Sequence, residues 1–180
     1  MEAVESTSWR GRVASGVENL FPGYFALVMA TGIVSIAAEL LGLRWFALAL
    51  LGTNLFAYAV LTLLLVCRIA VFPRRVLSDF CDHGKGAGFF TVVAGTCVLG
   101  SQVLVVAKEA SPAHVLWVIG IALWVVVMYG FFAAIIVRKQ KPTLQTGING
   151  AWLIAIVATQ SVSVLGSLLS PTISYPEPVL

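Results

Sequence analysis

Polar side chains recur at helical spacing within three apolar stretches of this chain, and they are its main candidates for chemistry. Residues four apart lie on one face of a helix, and Thr31, Ser35 and Glu39 follow that spacing in the first stretch. Hydroxyl and amide groups placed this way can replace part of the water around a small solute, or they can bond one helix to its neighbour. The sequence leaves both interpretations open. The candidate set is Thr31, Ser35, Thr91, Gln102, Thr159, Gln160 and Ser163.

A second candidate site lies just before the third apolar stretch, where Gly84, Lys85 and Gly86 open the run. Free backbone N–H groups at a helix N-terminus favour anions. These residues therefore predict an anion site at that end of the helix, although glycine-rich turns also precede many helices that bind nothing. Their order lacks the pattern of a phosphate-binding loop.

Metal and catalytic chemistry find little support in the sequence. Asp79, Cys81, Asp82 and His83 are metal-ligand types, but their spacing matches no established site, and one short loop does not readily wrap a metal ion. His83 and His114 fall on opposite sides of a span, so they offer no nucleophile–base pair. We predict no bound metal, no cofactor and no enzymatic activity.

The elements that must position these groups are five long runs without charge. The chain of 180 residues is 59% hydrophobic and only 11% charged. About 20 apolar residues are needed to cross the hydrocarbon core as a helix, whereas barrel strands would alternate apolar and polar residues. We predict an all-α integral membrane protein with five transmembrane helices. Their ranges are about 21–41, 45–67, 87–107, 113–137 and 150–169.

The positive charges predict how these helices cross the membrane. Nine of the eleven Lys and Arg residues fall in the N-terminal tail and in the second and fourth connections. Because basic residues concentrate in cytoplasmic loops, we predict a cytoplasmic tail over 1–20, an extracytoplasmic tail over 170–180 and a multi-pass protein of the plasma membrane. The basic residues are spread over loops, so no nucleic-acid partner is expected. A cleaved signal peptide is the alternative to an uncleaved first helix, but Pro22 and Gly23 open that run.

The five spans differ in polarity. The fourth has no Ser, Thr, Asn or Gln between His114 and Val137, which predicts that it faces lipid, and the second is nearly as apolar. We therefore expect the odd-numbered helices inside and the even-numbered ones outside. No Lys, Arg or Asp lies deep in a span, and Glu39 lies near a helix end close to Arg44. A proton-driven pump usually has a buried ionisable relay. Its absence here favours a channel or a passive carrier.

Three segments resemble the tellurite-resistance/C4-dicarboxylate transporter family, which is related to slow-type anion channels and includes malate and sulfite transporters. The segments are Phe21–Ser35, Gly88–Gln102 and Asn149–Ser163, in the family's order for helices one, three and five. The resemblance implies ten helices around a pore with pseudo-fivefold symmetry, a homotrimer in the lipid bilayer, and a small anionic substrate. It places Thr31, Phe90, Thr91, Thr159 and Gln160 in the matching motifs. Phe89 and Phe90 either line the path or simply pack between helices.

The chain departs from that family in having five spans, which is half of the implied ring. Two identical chains would run parallel, whereas halves of five spans each should be inverted. We therefore predict a truncated N-terminal half rather than a half-size homodimer. The predicted function is transport of a small anion such as a C4-dicarboxylate, sulfite, a tellurite oxyanion, a halide or nitrate. The alternative is a membrane scaffold or accessory subunit that transports nothing and uses its polar stripes only for packing.

Overall fold

The computed structural model describes residues 16–137 and 150–172 of the chain. Its helices are α1 (Pro22–Leu40), α2 (Arg44–Val71), α3 (Pro73–Phe80), α4 (Gly86–Ala107), α5 (Ala110–Val137) and α6 (Ile154–Leu169). A 3-10 turn, Gly150–Leu153, precedes α6. The described residues contain no strand. Within the described ranges, four helices are long and apolar enough to cross a membrane, and α6 is shorter. The protein is thus an all-α membrane protein, as predicted.

Two boundaries differ from the sequence-based ranges for physical reasons. Helix α2 continues to Val71, past the predicted end at 67, because Arg68 is buried with partners and its charge does not end the helix. The sequence predicts no helix between 67 and 87, whereas the structure has α3 there. Pro73 stands at its first turn, where a missing N–H costs nothing. The predicted tail residues 1–15 and 173–180 lie outside the described residues.

Tight turns join the first helices and close α4. Gly42 adopts a φ of +79°, and the next N–H, that of Leu43, donates to Ala38 O at 2.8 Å. Such a left-handed residue is the usual end of a helix because it satisfies the last carbonyls. The last turn of α4, Val103–Ala107, is a π-helix, and Lys108 follows with a φ of +62°. These turns bring α2 back along α1, and α5 back along α4.

Helix α4 is the centre of the bundle. In the most apolar 18-residue stretch of α4, 83% of the residues are buried, whereas 17% are buried in the corresponding stretches of α2 and α5. Helices α1, α5 and α6 pack directly on α4, and α2 packs mainly on α1. The lipid-facing character expected of the second and fourth spans agrees with their low burial. In the described residues α1 and α6 both pack on α4 but do not pack closely on each other. Helices α2 and α5 likewise flank α4 without packing closely on each other. Two grooves result.

Small residues on α4 let its neighbours approach closely, which is how membrane helices commonly pack. A Cβ at Gly100 would lie 2.5 Å from Leu165 Cδ2, so the leucine side chain would have to shift to admit it. At the other end of α4, Phe90 is fully buried and meets Phe131 of α5 edge to face, with ring centroids 5.5 Å apart. The bundle is therefore tightly packed where α5 and α6 meet α4.

Candidate functional site

The groove between α1 and α6, which we call the central groove, is the best candidate for a solute path. It has a volume of about 330 Å³ and a floor formed by α4. Apolar side chains dominate its walls, with three polar residues among them. The residues that line it include Ile33, Ile36, Val98, Ser101, Gln160 and Ser161.

Two of the three polar side chains in the central groove are already bonded to their own helices. Ser101 Oγ donates to Cys97 O at 3.1 Å, and Ser161 Oγ donates to Val157 O at 2.8 Å. This back-bonding is common for Ser in helices. Gln160 differs, because it is exposed and lines the groove. Its amide is the neutral group best placed to meet a solute.

Four side chains form what we call the polar seam between α2 and α4: Asn54, Tyr58, Thr96 and Gln102. Asn54 Nδ2 donates to Gln102 Oε1 at 2.7 Å and to Val28 O of α1 at 3.1 Å. Thr96 Oγ1 donates to Val92 O, so the 3.0 Å contact with Tyr58 Oη uses the tyrosine as donor. Asn54 and Gln102 are both fully buried. The seam therefore ties three helices together at their core.

Other predicted path residues also bond to neighbouring helices. Ser35, fully buried, donates to Ala47 O of α2 at 2.8 Å. Thr91 Oγ1 lies 2.8 Å from Pro22 O of α1. Thr159 Oγ1 donates to Ala155 O within α6 and accepts from Trp124 Nε1 of α5, each at 2.9 Å. These hydroxyls face helix–helix contacts.

The remaining members of the predicted set are placed differently. Thr31 is half-buried on α1, Ser163 is exposed on α6, and Phe90 lies in the aromatic core. Of the whole set, only Gln160 lines the central groove, while Gln102 lies in the polar seam. The structure thus distributes the predicted residues over several contacts rather than along one surface.

The predicted anion site at the start of α4 has its backbone groups occupied. Asp82 Oδ1 accepts from the N–H groups of Gly84 and Lys85, at 2.9 and 3.0 Å. The Gly86 N–H donates to Asp82 O at 2.8 Å. The carboxylate of Asp82 therefore takes the position that a bound anion would need, and Lys85 turns its side chain to Asp79 instead, at 3.3 Å.

A charged cluster joins the end of α2 to α3. Arg68, only 2% exposed, donates through Nε to Glu18 O at 2.9 Å and through Nη2 to Asp79. Burial raises the pKa of Asp79, but the hydrogen bonds from Arg68 and Lys85 outweigh it and hold that pKa below its usual value. Arg75 pairs with Glu18 at 3.1 Å. The cluster fixes α3 against the bundle.

At the opposite end of the bundle, Glu39 pairs with Arg44 at 2.6 Å and lies 3.9 Å from Lys108. It thus joins the α1–α2 turn to the end of α4. No group of three His, Cys, Asp or Glu side chains within residues 16–137 and 150–172 is placed to hold a metal ion.

Sequence reasoning missed two sets of residues. Asn54 and Tyr58 lie four apart on α2, and that spacing was a signal that the second span has an inward polar face. Val98 and Ile36 of the central groove gave no signal, because an apolar residue that faces a groove has the same type as one that faces lipid.

The chain is similar to known membrane proteins along most of its length. The model of the voltage-dependent anion channel family matches residues 19–180. An uncharacterized transporter of Methanocaldococcus jannaschii is 24% identical, over 86% of this chain and 46% of that protein. Sulfite efflux pumps of Trichophyton rubrum and Arthroderma benhamiae are each 25% identical, over 87% of this chain and 44% of the relative. The chain thus spans less than half the length of these relatives. No solved structure matches it.

Proposed function

Because the chain belongs to the voltage-dependent anion channel family, we propose that it supplies one wall of a path by which small anions cross the membrane. The central groove is the observation that carries this proposal. It is a concave surface of about 330 Å³ between α1, α4 and α6, and it has no charged lining residue. Passage requires that binding be favourable enough for entry and weak enough for exit.

Gln160 is the residue that we propose meets the anion. An amide N–H can donate to an anion without the strong attraction of a buried cation, and the neighbouring walls are apolar. Thr31 and Ser163 are proposed to lie along the same path. Ser35, Thr91, Gln102, Thr159 and Phe90 act indirectly in this proposal, by holding the inner helices in place.

The substrate that we favour is sulfite or another small oxyanion. The support is that two relatives are named sulfite efflux pumps. C4-dicarboxylates, halides and nitrate remain the other members of the class that the family resemblance implies. A groove whose walls lack charge would separate such anions mainly by size and hydration.

Two features of the assembly belong to the same proposal. The groove is open on one side, so a closed path needs a second wall, either from further helices in a ten-helix ring or from another copy, with a homotrimer as the expected complex. The distribution of basic residues favours a plasma-membrane protein with a cytoplasmic N-terminus and an extracytoplasmic C-terminus.

The test is anion flux through the full chain in liposomes, with sulfite, chloride and malate compared. Gln160→Leu removes the amide in the groove, and its sequence neighbour Thr159→Val is the matched control on the α5 side. We expect Gln160→Leu to change flux and selectivity while the protein stays folded, and Thr159→Val to leave the flux of each folded molecule unchanged. Equal flux from both variants and the parent chain would contradict the role of the groove.

A scaffold or accessory role is the second candidate, because several hydroxyls and amides of the predicted path bond neighbouring helices instead. Folded protein that gives no flux above empty liposomes, under every anion gradient, would favour this function.

A further inference from the structure

The groove between α2 and α5, which we call the outer groove, differs from the central groove in having only apolar lining residues. It has a volume of about 380 Å³ and is bounded by α2, α3, α4 and α5. Its floor includes Phe89 and Val92 of α4, and its rim includes Leu77 and Val126, which are 63% and 67% exposed. Such a surface stays covered in a membrane by something equally apolar.

The volume indicates what covers it. A methylene group is about the size of a water molecule, which takes up roughly 30 Å³ in the liquid. The outer groove therefore has room for about a dozen methylene groups. The volume of the outer groove therefore matches one hydrocarbon chain.

A charged hollow adjoins the outer groove at Pro73, which lines both. The hollow has a volume of about 410 Å³ and is also lined by Glu18, Arg74 and Arg75. Arg75 is paired with Glu18 at 3.1 Å. Arg74 is exposed and has no ion pair within the described residues. A free cation at the edge of a hydrocarbon slot matches an amphiphile with an anionic head.

We propose that α3 and the outer groove form a binding site for an anionic phospholipid. One acyl chain occupies the groove over Phe89 and Val92, and the phosphate lies in the hollow against Arg74. The ion pairs of the charged cluster hold α3 in position, so its apolar face closes the groove while Arg74 faces the head group. The site is separate from the central groove, and lipid binding at it does not depend on anion transport.

The first experiment measures retained lipid by native mass spectrometry after the full chain is reconstituted with equal amounts of phosphatidylglycerol and phosphatidylcholine. We expect phosphatidylglycerol to be retained preferentially. Because one basic residue near a membrane surface contributes about 1 kcal/mol, Arg74→Gln should lower that preference about fivefold. Lys108→Gln, which removes an exposed cation at the other end of α4, should leave the preference unchanged.

The second experiment fills the groove itself. Val126→Trp places an indole in the slot, whereas Val125→Trp adds the same bulk on α5 at a residue that does not line the groove. We expect Val126→Trp to lower retention of both lipids at least tenfold, and Val125→Trp to retain them as the parent chain does.

Two results would overturn the proposal. Equal retention of both lipids by the parent chain would reject the anionic head. Equal retention by the Val126→Trp and Val125→Trp variants would reject the groove as the place where the acyl chain lies. Binding of a second copy instead would be visible as a dimer that Val126→Trp disrupts and that retains no lipid.

Discussion

The polar seam and the central groove lie on different sides of the same helix, yet they use polar residues in opposite ways. In the seam, Asn54 and Gln102 are fully buried and bond across α2 and α4 at 2.7 Å. In the groove, Ser101 and Ser161 bond back to their own helices, and Gln160 is exposed. The more polar surface is thus the contact between helices, and the less polar one is the candidate path.

This difference follows from the solvent. Lipid offers no hydrogen bonds and drives no apolar association of helices, so helices are held together by close packing at small residues and by polar groups that bond across the contact. A transport path has the opposite need, because strong bonds would trap the solute. A polar stripe in a membrane sequence is therefore a weaker sign of a pore than it first looks.

The largest effect is expected from breaking the seam. Gln102→Leu removes one hydrogen-bond partner of the Asn54 amide, which stays buried. The free energy of unfolding should therefore fall by about 1–3 kcal/mol. Unfolding by dodecyl sulfate in mixed micelles measures the change. Asn54→Leu with Gln102→Leu should cost less than the sum of the two single changes. Strict additivity would show that the two amides do not interact.

The next largest effect is expected when two adjacent residues of α6 are compared, one at the contact with α5 and one at the central groove. Thr159→Val removes the acceptor for Trp124 Nε1 and should lower the free energy of unfolding by about 0.5–1.5 kcal/mol. Gln160→Leu, at the groove, should change it by less than about 0.5 kcal/mol. The same micelle titration compares both. A larger loss from Gln160→Leu would mean that this amide also holds helices together.

A smaller effect is expected from Tyr58→Phe within the seam. The variant loses one donated bond, but Thr96 keeps its bond to Val92 O at 2.8 Å, so no buried donor is left without a partner. The cost should be about 0.5–1 kcal/mol, near the average for hydrogen bonds between membrane helices. A loss as large as that of Gln102→Leu would show that Thr96 depends on the tyrosine.

The charged cluster provides a pH-dependent contrast to the seam, whose amides do not titrate. The pKa of Asp79 is lowered from 3.8 because hydrogen bonds from Arg68 and Lys85 outweigh burial, which alone would raise it. Its contribution to stability is therefore present above pH 3.8 and is lost as pH falls through the lower folded-state value. Melting temperatures of the parent chain and of Asp79→Asn should differ at neutral pH and converge on acidification. A difference in melting temperature that persists in acid would show that Asp79 acts through the shape of its side chain rather than through its charge.

The sequence predicted the class of the protein and the helices well, because the hydrocarbon core demands long runs without charge. It missed α3, since Arg74, Arg75 and Asp79 made that segment look like a loop. It treated Gln102 and Gln160 alike, although the first lies in the seam and the second in the groove. Residue type and spacing show which face of a helix is polar, but they do not show which neighbour that face meets.

What the sequence determined by itself is therefore the membrane-spanning, all-helical architecture and the family, since both depend on composition and on the order of motifs along the chain. Only the tertiary structure decided which polar atoms bond to each other and which remain at a groove. The reason is distance: a hydrogen bond forms at about 3 Å, and its partners Asn54 and Gln102 are 48 positions apart in the chain. The packing of helices around α4 brings these two side chains within bonding distance, and no local pattern in the sequence predicts that contact.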